Sequence, residues 1–187
     1  MNILYGSFSY PHQERIAEIL HSERGWNPAY WLANGPRHIL ERFPDTVLHD
    51  HYEARRGIFP VKIDQQVAKP LDEKLLMALA PYELNFYNIL DRSDADGRSF
   101  SFRERQALYY KSLYRWNYIL DKFSINAFIS WCTVHGSDDY PLYLLCKIRG
   151  IPTIMMDSSP LFGKYHTICF SAHQRSLQFE RAYREKK

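Results

Sequence analysis

No stretch of this sequence has the glycine spacing that cradles a phosphate. There are 8 glycines in 187 residues, and the turn after residues 1–7 holds Gly6 alone, so G-x-G-x-x-G and the Walker A loop are both missing. The G-x-S-x-G elbow and H-E-x-x-H are missing too. The three cysteines, Cys132, Cys146 and Cys169, have no metal-ligand spacing among themselves. Cys132 lies in an apolar run and Cys146 in a helical pattern, so both read as small buried hydrophobes. An odd number of thiols fits a reducing compartment. Asp138-Asp139 is not a D-x-D motif flanked by apolar strand, which argues against manganese-dependent sugar transfer. Neither a metal nor a cofactor is therefore expected. No apolar run reaches the ~20 residues that span a bilayer, and the N-terminus lacks the charged and apolar regions of a secretory signal. The expected location is cytoplasmic, without a transmembrane segment. Charge of one sign is also scarce. The net charge is +3, and the closest basic cluster (Arg181, Arg184, Lys186, Lys187) is broken by Glu185. That reads as a solvated helix end, not a nucleic-acid surface.

What is present describes a globular chain. A hydrophobic fraction of 45% with 24% charged residues suits a packed core, and the length suits one domain over residues 1–187 with a helical excursion at 71–123. Residues 1–7 read as a strand centred on Ile3, Leu4 and Tyr5. A turn at Ser9, Tyr10, Pro11 and His12 leads to a helix over 13–24, with Gly25 as its C-cap. Residues 29–32, closed by Asn34-Gly35-Pro36, and residues 46–48 are further strands, and 49–69 reads mostly as loop. Leu75, Leu79, Tyr82, Phe86 and Ile89 share one helix face interrupted by Pro81, which predicts a kink or two abutting helices. A polar loop over 91–101 precedes a long amphipathic helix at 102–123. Residues 125–134 are apolar on both alternating faces, as a central parallel strand should be. That strand is expected between residues 1–7 and 151–155, with a helix in the crossover. The fold class is α/β: a Rossmann-like open sheet, mostly parallel, with helices on both faces.

In such sheets ligands bind beyond the carboxyl ends of the strands. Three loops qualify. The first holds Ser7, Ser9, Tyr10 and His12; the second His135, Gly136, Ser137, Asp138 and Asp139; the third Asp157, Ser158 and Ser159. Each has a plainer reading. Ser137 or Asp138 would cap the following helix. Asp157-Ser158-Ser159-Pro160 would form a turn. His12 is a single loop histidine without an evident partner. His135 is either a general base, since imidazole titrates near neutral pH, or a hydrogen-bonding residue at a strand end. Ser9, His135 and Ser158 are expected to converge on one cleft. High aromatic content (14 Tyr, 11 Phe) suits core filling first, and sugar stacking or protein contacts second.

One resemblance bears on these choices. A Tyr- and Trp-rich helix (Tyr109, Tyr110, Tyr114, Trp116) precedes the strand Phe128-Ile129-Ser130-Trp131, which leads to His135. The helix Tyr143-Leu144-Leu145-Cys146-Lys147 follows, then Gly150-Ile151-Pro152-Thr153 and the segment Ser158-Ser159-Pro160 with Gly163-Lys164. This order resembles the N-terminal half of the two-domain (GT-B-like) glycosyltransferases that assemble bacterial capsules and other surface polysaccharides. The resemblance implies an acceptor-side domain that holds a sugar or glycan, with His135 as candidate catalytic base and Ser9, Tyr10, His12, Ser137, Asp138, Asp157 and Ser158 as candidate substrate contacts. It also implies that a sugar-nucleotide donor is bound by a second Rossmann-like half missing from this sequence, so that the chain alone transfers no sugar. Two readings from other classes stand beside it: a non-catalytic protein-interaction module, and a small flavodoxin-like nucleotide- or phosphoester-binding protein.

Overall fold

The structure is a computed structural model that describes residues 1–34, 38–64, 66, 68–92, 94, 96–158, 166–172 and 184–185, with the side chains of 157, 158, 166 and 167 outside the description. The elements are β1 (Asn2–Gly6), α1 (Pro11–Arg24), β2 (Asn27–Leu32), α2 (Ile39–Arg42), β3 (Val47–His49), α3 (His51–Arg55) and α4 (Glu73–Leu79). A 3-10 turn (Ala80–Tyr82), α5 (Glu83–Asp91), α6 (Phe102–Lys122), β4 (Ile125–Ser130), α7 (Asp139–Ile148), β5 (Thr153–Ser158) and β6 (His166–Cys169) complete the chain.

The six strands form one sheet in the order β3-β2-β1-β4-β5-β6. All pairs are parallel except β5 with β6. This is the strand order of a doubly wound Rossmann-like sheet. As the double-sided apolar pattern predicts, β4 is central, paired with β1 on one side and β5 on the other. Alternate side chains feed two cores. Leu4, Tyr30, Leu32, Phe128 and Met155 pack with α5, α6 and α7. Ile3, Tyr5, Trp31, Ala127 and Ile129 pack with Ala17 of α1 and Ile39 of α2. A sheet buried on both faces needs this alternation without polar residues, because neither face meets water.

The helices follow local chemistry. Gly25 takes a left-handed φ of 65° and its N–H bonds the His21 and Leu20 carbonyls, which ends α1. Pro81 lies in the 3-10 turn, dividing α4 from α5. Ser101 and Glu104 form a capping box at the start of α6, where Glu104 Oε2 accepts the Ser101 N–H at 2.7 Å. Tyr109, Leu113, Trp116 and Leu120 of α6 are fully buried, as their spacing requires.

Three expectations are corrected. The strand read over 125–134 stops at Ser130, where its pairing with Gly6 of β1 ends. Residues 131–138 leave the sheet, although the apolar run continues as far as Val134. The stretch read as mostly loop over 49–69 is so except for α3, begun by Asp50, whose carboxylate accepts the N–H groups of Tyr52 and Glu53 at 2.7 and 3.2 Å. Finally, the strand read over 151–155 runs from Thr153 to Ser158. Asp157 and Ser158 are thus not in a turn, since they pair with Thr167 and His166 of β6. Gly35, Pro36, Ser159, Pro160, Gly163, Lys164, Arg181, Lys186 and Lys187 lie outside the described residues. Among the described residues no helix is long and apolar enough to cross a membrane.

Candidate functional site

The chain winds outward from β1 through β2 to β3 and then returns to start again at β4, so the sheet reverses direction between β1 and β4. Loops leaving the carboxyl ends of those two strands diverge there, and the crevice they leave is where such sheets bind ligands. Ser7 is the first residue past β1. It holds a left-handed φ of 62°, a conformation that costs a non-glycine residue on the order of 1–3 kcal/mol. The bond from its N–H to the Leu32 carbonyl at 2.8 Å helps to hold it there. Its Oγ lies 3.3 Å from His51 Nε2 and 3.4 Å from Cys132 Sγ.

His51 opens α3 directly after β3, and Asn34 Oδ1 fixes its backbone N–H at 3.0 Å. The imidazole is buried and its Nδ1 bonds Asp138 Oδ2. A carboxylate oxygen can only accept, so Nδ1 carries a hydrogen and donates it, and Nε2 is turned toward the end of β1. The other oxygen, Asp138 Oδ1, accepts from Arg55 Nε at 3.1 Å. Burial alone would raise the Asp138 carboxyl, but the hydrogen bond and charge of His51, together with Arg55, outweigh it and hold the group below its ordinary value. Trp116 of α6 donates its indole N–H to the Asp138 carbonyl at 3.0 Å, tying this aspartate to the main core. Gly136 is required beside it: a Cβ there would stand 2.2 Å from Asp138 Oδ1.

Asp138 precedes α7 but does not cap it. Its side chain turns into the site, which overturns the capping reading for this residue. Ser137 is buried beside it. Asp139 is buried as well, and its Oδ1 accepts the Gly136 N–H at 2.7 Å. Burial, reinforced by the Asp138 charge, raises the Asp139 carboxyl. His135 is exposed, and its Nδ1 donates to the Thr133 carbonyl at 2.7 Å. Its hydrogen bond with Cys132, with help from that carbonyl, lifts the imidazole to about 9.

Tyr10 and His12 build an aromatic rim over the same crevice. Tyr10, 61% exposed, stacks on His12 with ring centres 5.8 Å apart. His12 lies in the first turn of α1, not in a loop, and sets its edge against Trp131 at 5.4 Å; Trp131 in turn packs edge-on to Phe8 at 5.5 Å. Ser9 is anchored through its backbone N–H to Gln13 Oε1. The structure thus gathers Tyr10, His12, His135, Ser137 and Asp138 around the ends of β1 and β4. Asp157 and Ser158 end the next strand, and their side chains lie outside the described residues.

Sequence reasoning missed His51, Arg55 and Cys132, and placed Ser7 in a candidate loop without giving it a role. A usable signal existed for α3. Asp50 followed by Glu53 has the spacing of a helix start, and it falls just past a strand, so the rule that selected the other loops would have selected His51.

Comparison of the chain with protein-family models, with curated proteins and with solved structures finds no match. The functional reading therefore rests on the site itself.

Proposed function

We propose that the chain is the acceptor-holding domain of a glycosyltransferase-like protein, in which His51, oriented by Asp138, takes the proton from an acceptor hydroxyl. The observation that carries this is the Asp138–His51 pair at the reversal point of the sheet, with Nε2 facing the end of β1. A hydroxyl attacking an anomeric carbon must lose its proton as the new C–O bond forms, and a positioned imidazole contributes about 10²–10⁴-fold to such a step. The Asp138 carboxylate fixes the tautomer and stabilises the imidazolium that results. Ser7 Oγ, 3.3 Å from Nε2, marks where the acceptor hydroxyl would sit. The Tyr10–His12–Trp131 rim offers ring faces and edges to the apolar side of a sugar. His135 suits the base role less well than the sequence suggests, because an imidazole held to about 9 already carries its proton at neutral pH. The donor nucleotide, in this reading, is bound by a second Rossmann-like half, since this chain offers no glycine-rich phosphate loop.

The test is saccharide binding followed by transfer. NMR titration of the 187-residue chain with oligosaccharides should perturb Tyr10 and Trp131, and the chain alone should turn over no sugar nucleotide. In a protein that also carries a donor half, His51→Ala should lower kcat about 10²–10⁴-fold with little change in KM. Robust transfer by the chain alone, or full activity in His51→Ala, would overturn the proposal.

A second reading is favoured by one observation. Ser7, His51 and Asp138 stand in the order nucleophile, base and orienting acid, with Ser7 in a left-handed conformation. This is the arrangement of serine acyl transfer. Such chemistry also needs free N–H donors for an oxyanion. Around Ser7 three N–H groups are committed, Ser7 to Leu32 O and both Ser9 and Tyr10 to Gln13 Oε1. Labelling of Ser7 by a fluorophosphonate would favour this reading over glycosyl transfer.

A further inference from the structure

Cys132, His135 and Asp139 stand in one short segment, spaced C-x-x-H-x-x-x-D, between β4 and the first turn of α7. One ligand-type atom from each lies within 4.8 Å of the other two. We infer that these three side chains form a binding site for a divalent cation of zinc type, with an open coordination position beside Ser7.

The donor set selects the metal. A thiolate, an imidazole and one carboxylate suit zinc, whereas magnesium and calcium take oxygen ligands. The imidazole is already presented correctly. Nδ1 donates to the Thr133 carbonyl, which leaves Nε2 as the nitrogen that would take the metal in exchange for its proton, and histidine ligands are commonly oriented by such a backbone bond. Asp139 supplies a buried carboxylate. Arg55 and His51 beside it both pair with Asp138, and no ion pair to Asp139 occurs among the described residues.

Tetrahedral zinc needs ligand atoms about 3.3–3.7 Å apart, from bond lengths of ~2.0–2.3 Å. The cluster must therefore tighten by roughly 1 Å. His135, exposed on its loop, is free to make that movement, while Asp139 is anchored by the Gly136 N–H. Three protein ligands leave a fourth position for water or a substrate hydroxyl, as in catalytic zinc sites. Cys132 Sγ lies 3.4 Å from Ser7 Oγ, which puts that position next to the crevice. The inference stands independently of glycosyl transfer, since a metal here would also serve a protein of another activity.

The experiment uses the 187-residue chain without an affinity tag, reduced and metal-free, titrated with cobalt as a spectroscopic stand-in for zinc. One equivalent should produce a sulfur-to-cobalt charge-transfer band, which zinc then displaces, and zinc should raise the melting temperature. Cys132→Ser should abolish the band, and Cys169→Ser should leave it intact. His135→Ala should weaken zinc binding at least about tenfold. His135 is exposed, so that variant remains decisive even where Asp139→Asn folds poorly. Absence of the band, or its survival in Cys132→Ser, would overturn the site.

Discussion

His49, the last residue of β3, offers a quantitative test of how the fold holds its polar groups. Its ring is buried against Tyr30, Phe59 and Trp116. Nε2 donates to the Ile58 carbonyl at 2.8 Å, so the neutral ring accepts the Tyr30 hydroxyl at Nδ1, also 2.8 Å. The site is built for the neutral ring, and burial drops its pKa from 6.5 to about 4. An unfolded chain binds this proton near 6.5, whereas the folded chain waits until about 4, so between those values the unfolded state holds more protons. The stability His49 contributes is thus complete above about 6.5 and lost as the pH falls toward 4. At ~1.4 kcal/mol per pKa unit, the loss is about 3 kcal/mol, or roughly 6–12 °C in a domain of this size. Asp139 works in the opposite direction, because its raised carboxyl favours the folded state as the pH falls. The wild-type profile alone is therefore not diagnostic. The comparison to make is with His49→Phe, which keeps the aromatic packing and removes the titration. Urea melts at about pH 7 should show the variant less stable, since Tyr30 Oη and Ile58 O lose their partner at ~1–3 kcal/mol each. Near pH 4 the difference should shrink by about 3 kcal/mol. A difference constant across both conditions would refute the reasoning and place the His49 titration near its ordinary value.

Two further outcomes follow from the site. Asp138→Asn should stay folded, within about 1–2 kcal/mol of wild type by urea melt, because Arg55 is exposed and its charge returns to water. In a transfer-competent protein the same substitution should cost about 10²–10⁴-fold in kcat, since the amide can hold His51 in the wrong tautomer. Trp116→Phe should cost roughly 1–3 kcal/mol in a thermal or urea melt, because it leaves the Asp138 carbonyl without its buried donor; an unchanged stability would show that this bond is not what fixes the α7 end of the site.

The sheet was legible in the sequence because its signals are local. Double-sided apolar runs mark central strands, and Gly25 and Pro81 mark helix ends. The overrun at 131–134 shows where that logic stops. A strand ends where its neighbours end, here at Gly6 and Ser130, and the apolar residues beyond it serve the rim instead. His135 and Asp138 were identified because one rule of parallel sheets selects the loop that holds them. What side-chain chemistry made of them was not legible. Asp138 finds His51 across 87 positions and Arg55 across 83, and no spacing rule reaches that far. Cys132 looked like core because its neighbours are apolar, and its partners His135 and Asp139 became visible only when the loop folded back on itself.

The placement of β1 has a consequence for how the protein is made. β1 leaves the ribosome well before β4, yet it is an inner strand of the sheet, and its pairing with β4 joins Asn2 to Ile125. At about 5–20 residues per second, the β1 edge that will receive β4 waits on the order of ten seconds for its partner. During that interval the unpaired edge of β1 is open to other chains. Refolding of the finished chain must likewise close a loop of more than a hundred residues before the sheet is complete, which favours slow folding. Chaperone dependence and low yield at high expression rates are the practical signature expected of that order of events.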